Sequence, residues 1–258
     1  MNTITTSNLT KNQISDINLL LKTCRSHDNI NGCISLDSSI NSITYMPCFF
    51  LTYEGKTLCS ILTIFTPTDY ECEIYAYTLP EYRQKHLFSN ILSKALKHIK
   101  KSTIQNIYLV AEPNSISATM TAAAMNILLD YSEYMLSYDM NITPSPEHIL
   151  SINHLKENNT DTIHLTYEHT LIALCHLYIH ETYASIFDFE VIEKYRGKGY
   201  GREALLMLIE YLIKLNISSI TLNVSSKNKK AHKLYTSHGF FIKEQLDYYH
   251  IPVNYILF

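Results

Sequence analysis

Three of the six glycines in this chain fall within the five residues that close the segment YRGKGYG, Tyr195 to Gly201. The residues before it, YASIFDFEVI, are β-branched and aromatic and predict a strand, whereas REALLMLIEYLIKL after it has apolar residues at helical spacing. A glycine turn between a strand and a helix presents backbone N–H groups at the positive helix end, where a phosphate meets no Cβ. The segment therefore predicts a pyrophosphate cradle, with a purely structural turn as the alternative.

Two common phosphate-binding patterns do not fit this segment. A P-loop requires GxxxxGK followed by Ser or Thr, and a dinucleotide fingerprint requires GxGxxG with a later acidic residue. Here Gly197, Gly199 and Gly201 alternate, and Arg202 follows them. The pattern that fits is RxxGxG, formed by Arg196, Gly199 and Gly201.

A second motif follows the next predicted strand, SSITLNV. The segment NKKAHKLYTSHGF fits the pattern NxxAxxLYxxxGF at Asn228, Ala231, Leu234, Tyr235, Gly239 and Phe240. Together the two motifs resemble the GNAT superfamily of acyl-CoA-dependent N-acyltransferases. The resemblance implies that an acetyl group passes from acetyl-CoA, as cosubstrate, to a primary amine by direct attack.

The resemblance also implies roles for particular residues. Tyr235 would lie near the CoA sulfur as the general acid. The alternative is that Tyr235, one of 20 tyrosines, is an ordinary core or surface residue. The Val191 N–H would lie near the thioester carbonyl, Asn228 would bind pantetheine, and main-chain N–H groups would hold the pyrophosphate. The expected cofactor-binding residues are Val191, Ile192, Arg196, Gly197, Lys198, Gly199, Tyr200, Gly201 and Asn228.

The candidate general bases are two carboxylates on the strand before the glycines. Asp188 and Glu190 are two residues apart, which predicts that they share one strand face opposite Phe187, Phe189 and Val191. Such a pair would attract a cationic amine and could accept its proton directly or through water. The alternative is that both carboxylates form surface ion pairs.

The chain contains an internal repeat. The segment EIYAYTLPEYRQKHLFSNILSKAL, which begins at Glu73, resembles the later segment IFDFEVIEKYRGKGYGREALLMLI. Equivalent residues such as Tyr82 and Tyr195 are 113 positions apart. In the first copy His86 and Phe88 replace two glycines, and the helix predicted from EPNSISATMTAAAMNILLDYSEYM lacks the tyrosine followed by GF. The first copy is therefore a degenerate lobe. Arg83 leaves weak acyl-CoA binding open, and His86 is either a surface histidine or a new base.

These patterns predict an α/β (α+β) fold of two GNAT-like lobes, each a mixed, mostly antiparallel sheet flanked by helices. The expected domains are residues 1–145, degenerate, and 146–258, with intact acyl-CoA motifs. The boundary is placed in a polar, proline-containing segment, and the segments FFIKEQLDYY and VNYILF are expected to close the second lobe. Only the first lobe has an opening helix, LTKNQISDINLLLKTC, so we hypothesise that it walls the acceptor site of the second.

Composition limits the remaining possibilities. With 21 Lys and Arg against 24 Asp and Glu, no charged block indicates a nucleic acid or membrane partner. No leader or membrane span is apparent, which favours a cytoplasmic monomer or homodimer acting on a small-molecule or peptide amine. Six cysteines without a CxxC pair indicate buried thiols and no metal site. The alternative function is a non-catalytic acyl-CoA-binding or regulatory interaction module.

Overall fold

The computed structural model describes residues 1–32, 34–142, 149–157 and 160–255. The chain divides into two compact units, the first formed by Met1–Tyr131 with Leu246–Phe258 and the second by Ser132–Gln245. The predicted boundary near residue 145 lies outside the described residues, and the two units do not follow it.

The helices are named in chain order. They are α1 (Lys11–Asp28), α2 (Leu87–Ile99), α3 (Ile116–Ala124), α4 (Tyr200–Lys214) and α5 (Lys229–Thr236). The strands are β1 (Asn2–Thr6), β2 (Phe49–Glu54), β3 (Thr57–Phe65), β4 (Glu71–Thr78), β5 (Asn106–Ala111), β6 (Leu129–Tyr138), β7 (Ser151–Glu157), β8 (Thr160–Tyr167), β9 (Thr170–His180), β10 (Tyr183–Val191), β11 (Ser219–Ser225) and β12 (Phe240–Ile251).

The first unit has the strand order β1-β2-β3-β4-β5-β12. Only β4 and β5 pair in parallel, and the other described pairs of this unit are antiparallel. The predicted opening helix is confirmed as α1, which begins with a capping box between Thr10 and Gln13. Its apolar stripe, which includes Ile17 and Leu20, packs against Leu51 and neighbouring residues of the sheet.

The second unit has the strand order β6-β11-β10-β9-β8-β7, with β10 and β11 parallel. The two helices that follow β10 pack on one face, where Leu205 and Leu208 of α4 meet Leu222 and Val224 of β11. Within the described residues of this unit no helix precedes β10. Each unit thus has the mixed, mostly antiparallel sheet that the sequence predicts.

Strand β6 corrects the predicted first-lobe helix. The helix α3 ends at Ala124, Asn126 takes a left-handed conformation with φ +53°, and Leu129–Tyr138 forms a strand. Tyrosines and alternating burial in this stretch favour a strand over a helix. Most of β6 belongs to the second unit, where it pairs with β11.

The last described strand, β12, was expected in the second lobe but lies partly in the first unit. The C-terminal half of β12 pairs with β5 in the first unit, with Tyr248 opposite Val110. The unit boundary therefore cuts through β6 and β12, because each is continuous in sequence but contributes to both units. Ser151–Glu157, expected to be part of a linker, is strand β7. Val253–Tyr255, expected in a closing strand, is not a strand, and residues 256–258 lie outside the described residues.

The internal repeat holds in three dimensions. A short 3-10 turn precedes α2 at Pro80–Tyr82 and precedes α4 at Glu193–Tyr195, so the repeat offset takes one turn to the other. The following helices begin at Leu87 and Tyr200 with the same offset. The two units are therefore two copies of one β-turn-α arrangement.

Candidate active site

A bulge interrupts β10 shortly before its end. Pairing with β9 joins Phe187 to His176 and then Glu190 to Leu174, so three steps along β10 oppose two along β9. Asp188 lies at this point with φ +51°. Because an extra residue resets the alternation of side chains, the prediction that Asp188 and Glu190 lie regularly on one strand face is wrong.

The same bulge separates the three apolar residues expected on one face. Phe187 is 42% exposed, and its ring lies 5.5 Å from that of His176. Phe189 and Val191 instead pack against the core under α4. Phe187 therefore points away from the core by regular alternation after the buried Ile186, and the bulge returns Phe189 and Val191 to the core side.

Beyond the bulge, β10 and β11 no longer pair. Their last parallel pair is Ile186 with Leu222. The Ile192 N–H donates to the Ile172 carbonyl of β9 at 2.9 Å, so by strand alternation the Val191 N–H points away from β9 to the open side. Val191 thus offers a main-chain donor, whereas Ile192 does not.

The glycine turn supplies a row of free donors. Within the described residues, none of the N–H groups from Gly197 to Gly201 donates a hydrogen bond. Gly197 and Gly199 have φ +75° and +88°, and a Cβ built on either one would meet nothing within 4 Å. The turn therefore combines five unpartnered donors with open space at the N-terminus of α4, as an anion-binding site requires.

Other residues of the predicted turn contribute packing and charge. A Cβ on Gly201 would lie 3.6 Å from side-chain atoms of Leu234 and Val191, an ordinary contact. The Lys198 ammonium lies 5.8 Å from the Tyr195 ring centroid, and the Tyr200 ring meets Tyr195 edge-on at 5.9 Å. The turn is thus flanked by a pair of tyrosine rings and an exposed cation.

Arg196 fastens the turn to the strand. Its Nε donates to the Val191 carbonyl at 2.8 Å, and its Nη2 donates to Glu190 Oε1 at 2.6 Å. Its main-chain N–H donates to the Glu193 carbonyl at 3.1 Å. Glu190 thus forms the surface ion pair that was the alternative to a role as base. The main-chain N–H of Arg196, which was expected to hold pyrophosphate, and its Nε and Nη2 all donate to groups of the protein itself.

Tyr235 lies in the core beneath this region. It is 6% exposed, and its ring lies 6.3 Å from Phe189 and 5.9 Å from Phe240. Burial, with a smaller contribution from the Cys175 thiol, raises the pKa of Tyr235 to about 12. Among the described residues its hydroxyl has no hydrogen-bond partner, so the phenol is a buried, protonated donor.

Asn228 is the N-cap of α5. Its Oδ1 accepts a hydrogen bond from the Ala231 N–H at 3.1 Å, which satisfies one of the free donors of the first turn. The residue is exposed, and its amide nitrogen donates to no partner in the described part of the chain. Its capping role was not predicted, and its Nδ2 remains free for the predicted pantetheine contact.

The geometry agrees with the family to which the sequence is related. Residues 128–240 match the model of the acetyltransferase (GNAT) family. This segment is therefore similar to the GNAT family. GNAT acetyltransferases in general use acetyl-CoA and act on amine acceptors. A curated relative, the uncharacterized N-acetyltransferase YycN of Bacillus subtilis (strain 168), is 42% identical over 57 residues. That alignment covers 22% of this chain and 36% of the relative's length.

Solved GNAT structures match both units of the chain. A GCN5-related N-acetyltransferase from Sphaerobacter thermophilus aligns over 97% of this chain and 96% of its own, with 11% identity and TM-score 0.75. A tandem GNAT protein from the clavulanic acid biosynthesis pathway aligns over 98% and 99%, with 10% identity and TM-score 0.66. At these identities the likeness concerns the fold, and it confirms the predicted tandem GNAT architecture.

Three further expectations concern absences. Over the described ranges, no cluster of His, Cys, Asp or Glu side chains is suited to hold a metal. Five described cysteines are buried free thiols, and Cys33 lies outside the described residues. No helix in the described part of the chain is long and apolar enough to cross a membrane.

Proposed function

We propose that the second unit is an acetyl-CoA-dependent N-acetyltransferase that acts on a primary amine. The observation that carries the proposal is the turn at residues 197–201, whose five free N–H groups adjoin space that any side chain on Gly197 or Gly199 would fill. A pyrophosphate needs such donors and such space. The GNAT match over residues 128–240 gives the same reading.

The binding residues follow from the free groups described above. The N–H groups of Gly197, Lys198, Gly199, Tyr200 and Gly201 would hold the pyrophosphate, with the Lys198 ammonium nearby. The Val191 N–H would face the thioester carbonyl from the open side of β10. Asn228 Nδ2 would donate to the pantetheine arm, because its Oδ1 is already used in capping α5.

The reaction needs a neutral amine, a donor for the developing oxyanion and a proton for the leaving thiolate. Acetyl-CoA supplies the acyl group as a thioester. In the proposed mechanism the Val191 N–H stabilises the oxyanion and the Tyr235 hydroxyl donates to the departing sulfur. Because burial raises the pKa of Tyr235 to about 12, its hydroxyl is protonated at neutral pH and is available as a hydrogen-bond donor to the sulfur.

The test is the Tyr235→Phe substitution, assayed by thiol release from acetyl-CoA with a panel of amines. We expect turnover to fall by about 10² to 10⁴, the usual contribution of general acid assistance. CoA affinity, measured by calorimetry, should change less than about threefold because the ring and its packing remain. This separation of chemistry from binding is what a proton donor predicts.

Tyr138→Phe is the matched control in the same core. Tyr138 is also buried, and its hydroxyl donates to the Ile142 carbonyl at 2.8 Å. Its loss should lower the melting temperature and leave turnover within about threefold of wild type. If Tyr235→Phe also lost less than about threefold, Tyr235 would be a packing residue.

A non-catalytic role is better suited to the first unit. Its equivalent turn has the side chains of Gln84 and His86 where the second unit has glycines. The position that the repeat offset makes equivalent to Tyr235 is Ala122. We therefore assign no acyl transfer to the first unit, and the alternative of a binding or interaction module applies there.

A further inference from the structure

Glu133 of β6 lies on the sheet face opposite the helices of the second unit. In the pairing of β6 with β11, Glu133 is opposite Ser225, and Tyr134 is opposite Val224. Tyr134 and Val224 pack with the core under α4. Because successive side chains point to opposite faces, Glu133 and Ser225 point to the other one.

The neighbours of Glu133 on that face include apolar and neutral groups. Ser185 of β10 pairs with Thr221 of β11, and alternation puts the next residues of this face at Phe187 and Asn223. Asn223 pairs in turn with Met135 of β6. The Phe187 ring and the Met135 thioether therefore lie on the same face as the Glu133 carboxylate, two residues earlier along the direction of β11.

The carboxylate is level with the open side of β10. A rise of about 3.3 Å per residue puts Ser225 about 10 Å beyond Leu222, the last residue of β11 that pairs with β10. The Ser132 N–H donates to Ser226 Oγ at 2.9 Å, and the Ser226 N–H donates to the Ser132 carbonyl at 2.8 Å. These bonds hold Glu133 beside the end of β11.

The helix that carries Tyr235 borders the same region from the opposite face. The helix α5 begins just after β11, and its His232 ring lies 5.2 Å from that of Tyr134 on the core side of β6. A thioester held between β10 and β11 would therefore have Tyr235 on one face and Glu133 on the other. An amine approaching from the face without helices would meet the carboxylate.

The surroundings of Glu133 favour a base. The side chain is half-buried, and burial raises the pKa of its carboxyl, opposed by a hydrogen bond with the Ser225 side chain. A carboxylate whose pKa is moved toward neutrality is a better proton acceptor at physiological pH. Glu190 is held by Arg196, and Asp188 is exposed on the bulge.

We propose that Glu133 is the catalytic base of the second unit, which takes the proton of the attacking amine directly or through one water. The inference rests on the acyl transfer proposed above. The amine nitrogen bonds to the acetyl carbonyl carbon as the carbon–sulfur bond breaks, the nitrogen's proton passes to the Glu133 carboxylate, and the sulfur takes the Tyr235 proton. The acceptor class is a primary amine whose apolar portion contacts Phe187 and Met135.

The origin of Glu133 gives this inference a wider consequence. The residue is encoded before the predicted boundary, in the strand that the first half of the chain contributes to the second unit. In the first unit the position related to it by the repeat offset is Leu246 of β12. The exchanged strands therefore give a carboxylate to one unit and an apolar residue to the other.

The experiment uses the full chain with Glu133→Gln. The acceptor is whichever of 2-phenylethylamine, spermidine or a lysine-containing peptide wild type acetylates fastest, with Glu181→Gln, in the β9–β10 turn, as control. We expect kcat to fall by about 10² to 10⁴ in Glu133→Gln, with CoA affinity within about threefold. The acidic limb of the kcat/KM profile should disappear, whereas Glu181→Gln should keep it.

Stability gives a second readout. A raised carboxyl pKa favours folding fully below the unfolded pKa, and this contribution is lost as pH rises through the folded pKa. Glu133→Gln should therefore raise the melting temperature at pH 8, and the difference should shrink near pH 4. Loss of activity together with a gain in stability is not expected of a residue with only a structural role.

Each other outcome overturns the proposal. Turnover within about threefold of wild type, or residual activity with an unchanged acidic limb and a lowered melting temperature, would exclude Glu133 as the base. An acidic limb lost in Asp188→Asn and kept in Glu133→Gln would assign the base to Asp188. If wild type binds CoA and acetylates none of the three amines, the proposed function fails together with this inference.

Discussion

The turn after β4 and the turn after β10 have the same backbone conformation and different side chains. Gln84 and His86 have φ +59° and +60°, where Gly197 and Gly199 have +75° and +88°. Left-handed backbone is unfavourable for residues with a Cβ. The first unit therefore maintains a strained turn that carries a side chain at both positions where the second unit has glycine.

The strands that lead into the two turns differ by one residue. The parallel pair Ile74 with Leu109 in the first unit corresponds to Ile186 with Leu222 in the second, offsets of 112 and 113. Pairing of β4 with β3 has no register shift, whereas β10 has its bulge at Asp188. The bulge is thus an insertion in the second unit. It is not needed to direct the Val191 N–H away from β9, because in the first unit the Leu79 N–H donates to the Cys59 carbonyl just as the Ile192 N–H donates to the Ile172 carbonyl.

The first unit also closes the region that the second leaves open. Glu112, just after β5, accepts hydrogen bonds from the N–H groups of Asn31, at 2.9 Å, and Gly32. A Cβ on Gly32 would lie 3.2 Å from Tyr77 near the end of β4. The loop after α1 therefore lies against the ends of both parallel strands, which shows that the scaffold persists where its proposed chemistry does not.

The largest expected effect comes from separating the sequence halves near residue 145. A fragment of residues 146–258 lacks β6, which pairs with β11 from Thr221 to Ser225. It also keeps residues 246–255, which belong to the first unit. We expect it to be insoluble or unable to bind CoA, because β11 loses a partner and apolar surface is exposed.

A fragment of residues 129–245 is the matched control, since it contains β6 and ends where the second unit ends. It should be more soluble than residues 146–258 and should bind CoA by calorimetry. If residues 146–258 were soluble, monomeric and as active as the full chain, β6 would be dispensable for the second unit. The predicted division into residues 1–145 and 146–258 would then describe the two lobes correctly.

The motifs were readable from sequence because each depends on local spacing. Gly199 and Gly201 mark the start of α4, and the spacing from Asn228 to Tyr235 marks α5, since caps and turns are encoded within a few residues. The repeat offset likewise predicted the second copy of the fold. Local signals were sufficient to locate the glycine turn that we propose as the cradle.

Two features depend on pairing between residues distant in sequence. One is the bulge in β10, and the other is the exchange by which β6 joins the second unit and the end of β12 joins the first. The change of offset from 112 to 113 was present in the sequence, but a one-residue insertion in a strand leaves no local composition signal. The strand β6 was predicted as helix, although Asn126 and Gly239 are related by the repeat offset and both have positive φ. That alignment was the signal that could have revealed Leu129–Tyr138 as a strand, whereas its place in the second unit depends on the pairing with β11.

The next effect concerns the side chains in the two turns. Gly199→His copies the first unit, where His86 holds the same backbone position, so the fold should tolerate it. We expect CoA affinity to fall at least about tenfold, because the imidazole would occupy space that is open in wild type and the left-handed residue costs about 1–2 kcal/mol. Calorimetric titration of CoA measures the change.

The converse variant, Gln84→Gly with His86→Gly, sharpens the comparison. It should not create a second CoA site, because the strand ends of the first unit still contact the loop at Asn31 and Gly32. Two CoA molecules bound per chain would mean that side chains in the turn are the only difference that matters. Unchanged affinity in Gly199→His would refute the cradle assignment.

The smallest effect compares the ion pairs that hold the two turns. Arg83 donates to both carboxylate oxygens of Asp28, at 2.8 and 2.6 Å, and its Nε donates to the Thr78 carbonyl. The pair is mostly buried, with side-chain exposures of 22% and 11%. The equivalent pair of the second unit, Arg196 with Glu190, is 55% exposed on both sides. The two pairs therefore differ in burial and in geometry, because Arg83 binds both oxygens of Asp28 and Arg196 binds one oxygen of Glu190.

We expect Asp28→Asn to destabilise the protein by about 1–3 kcal/mol at pH 7 and Glu190→Gln by less than about 1 kcal/mol, because solvent screens an exposed pair. The hydrogen bond from Arg83 lowers the pKa of Asp28. A depressed carboxyl pKa stabilises the fold above the unfolded pKa, near 3.9, and this contribution is lost as pH falls through the folded value. The deficit of Asp28→Asn in urea unfolding should therefore be full at pH 7 and should shrink below about pH 4. Equal deficits in the two variants would show that both turns depend on their ion pairs to the same extent, and that neither the burial nor the second hydrogen bond of the first pair adds stability.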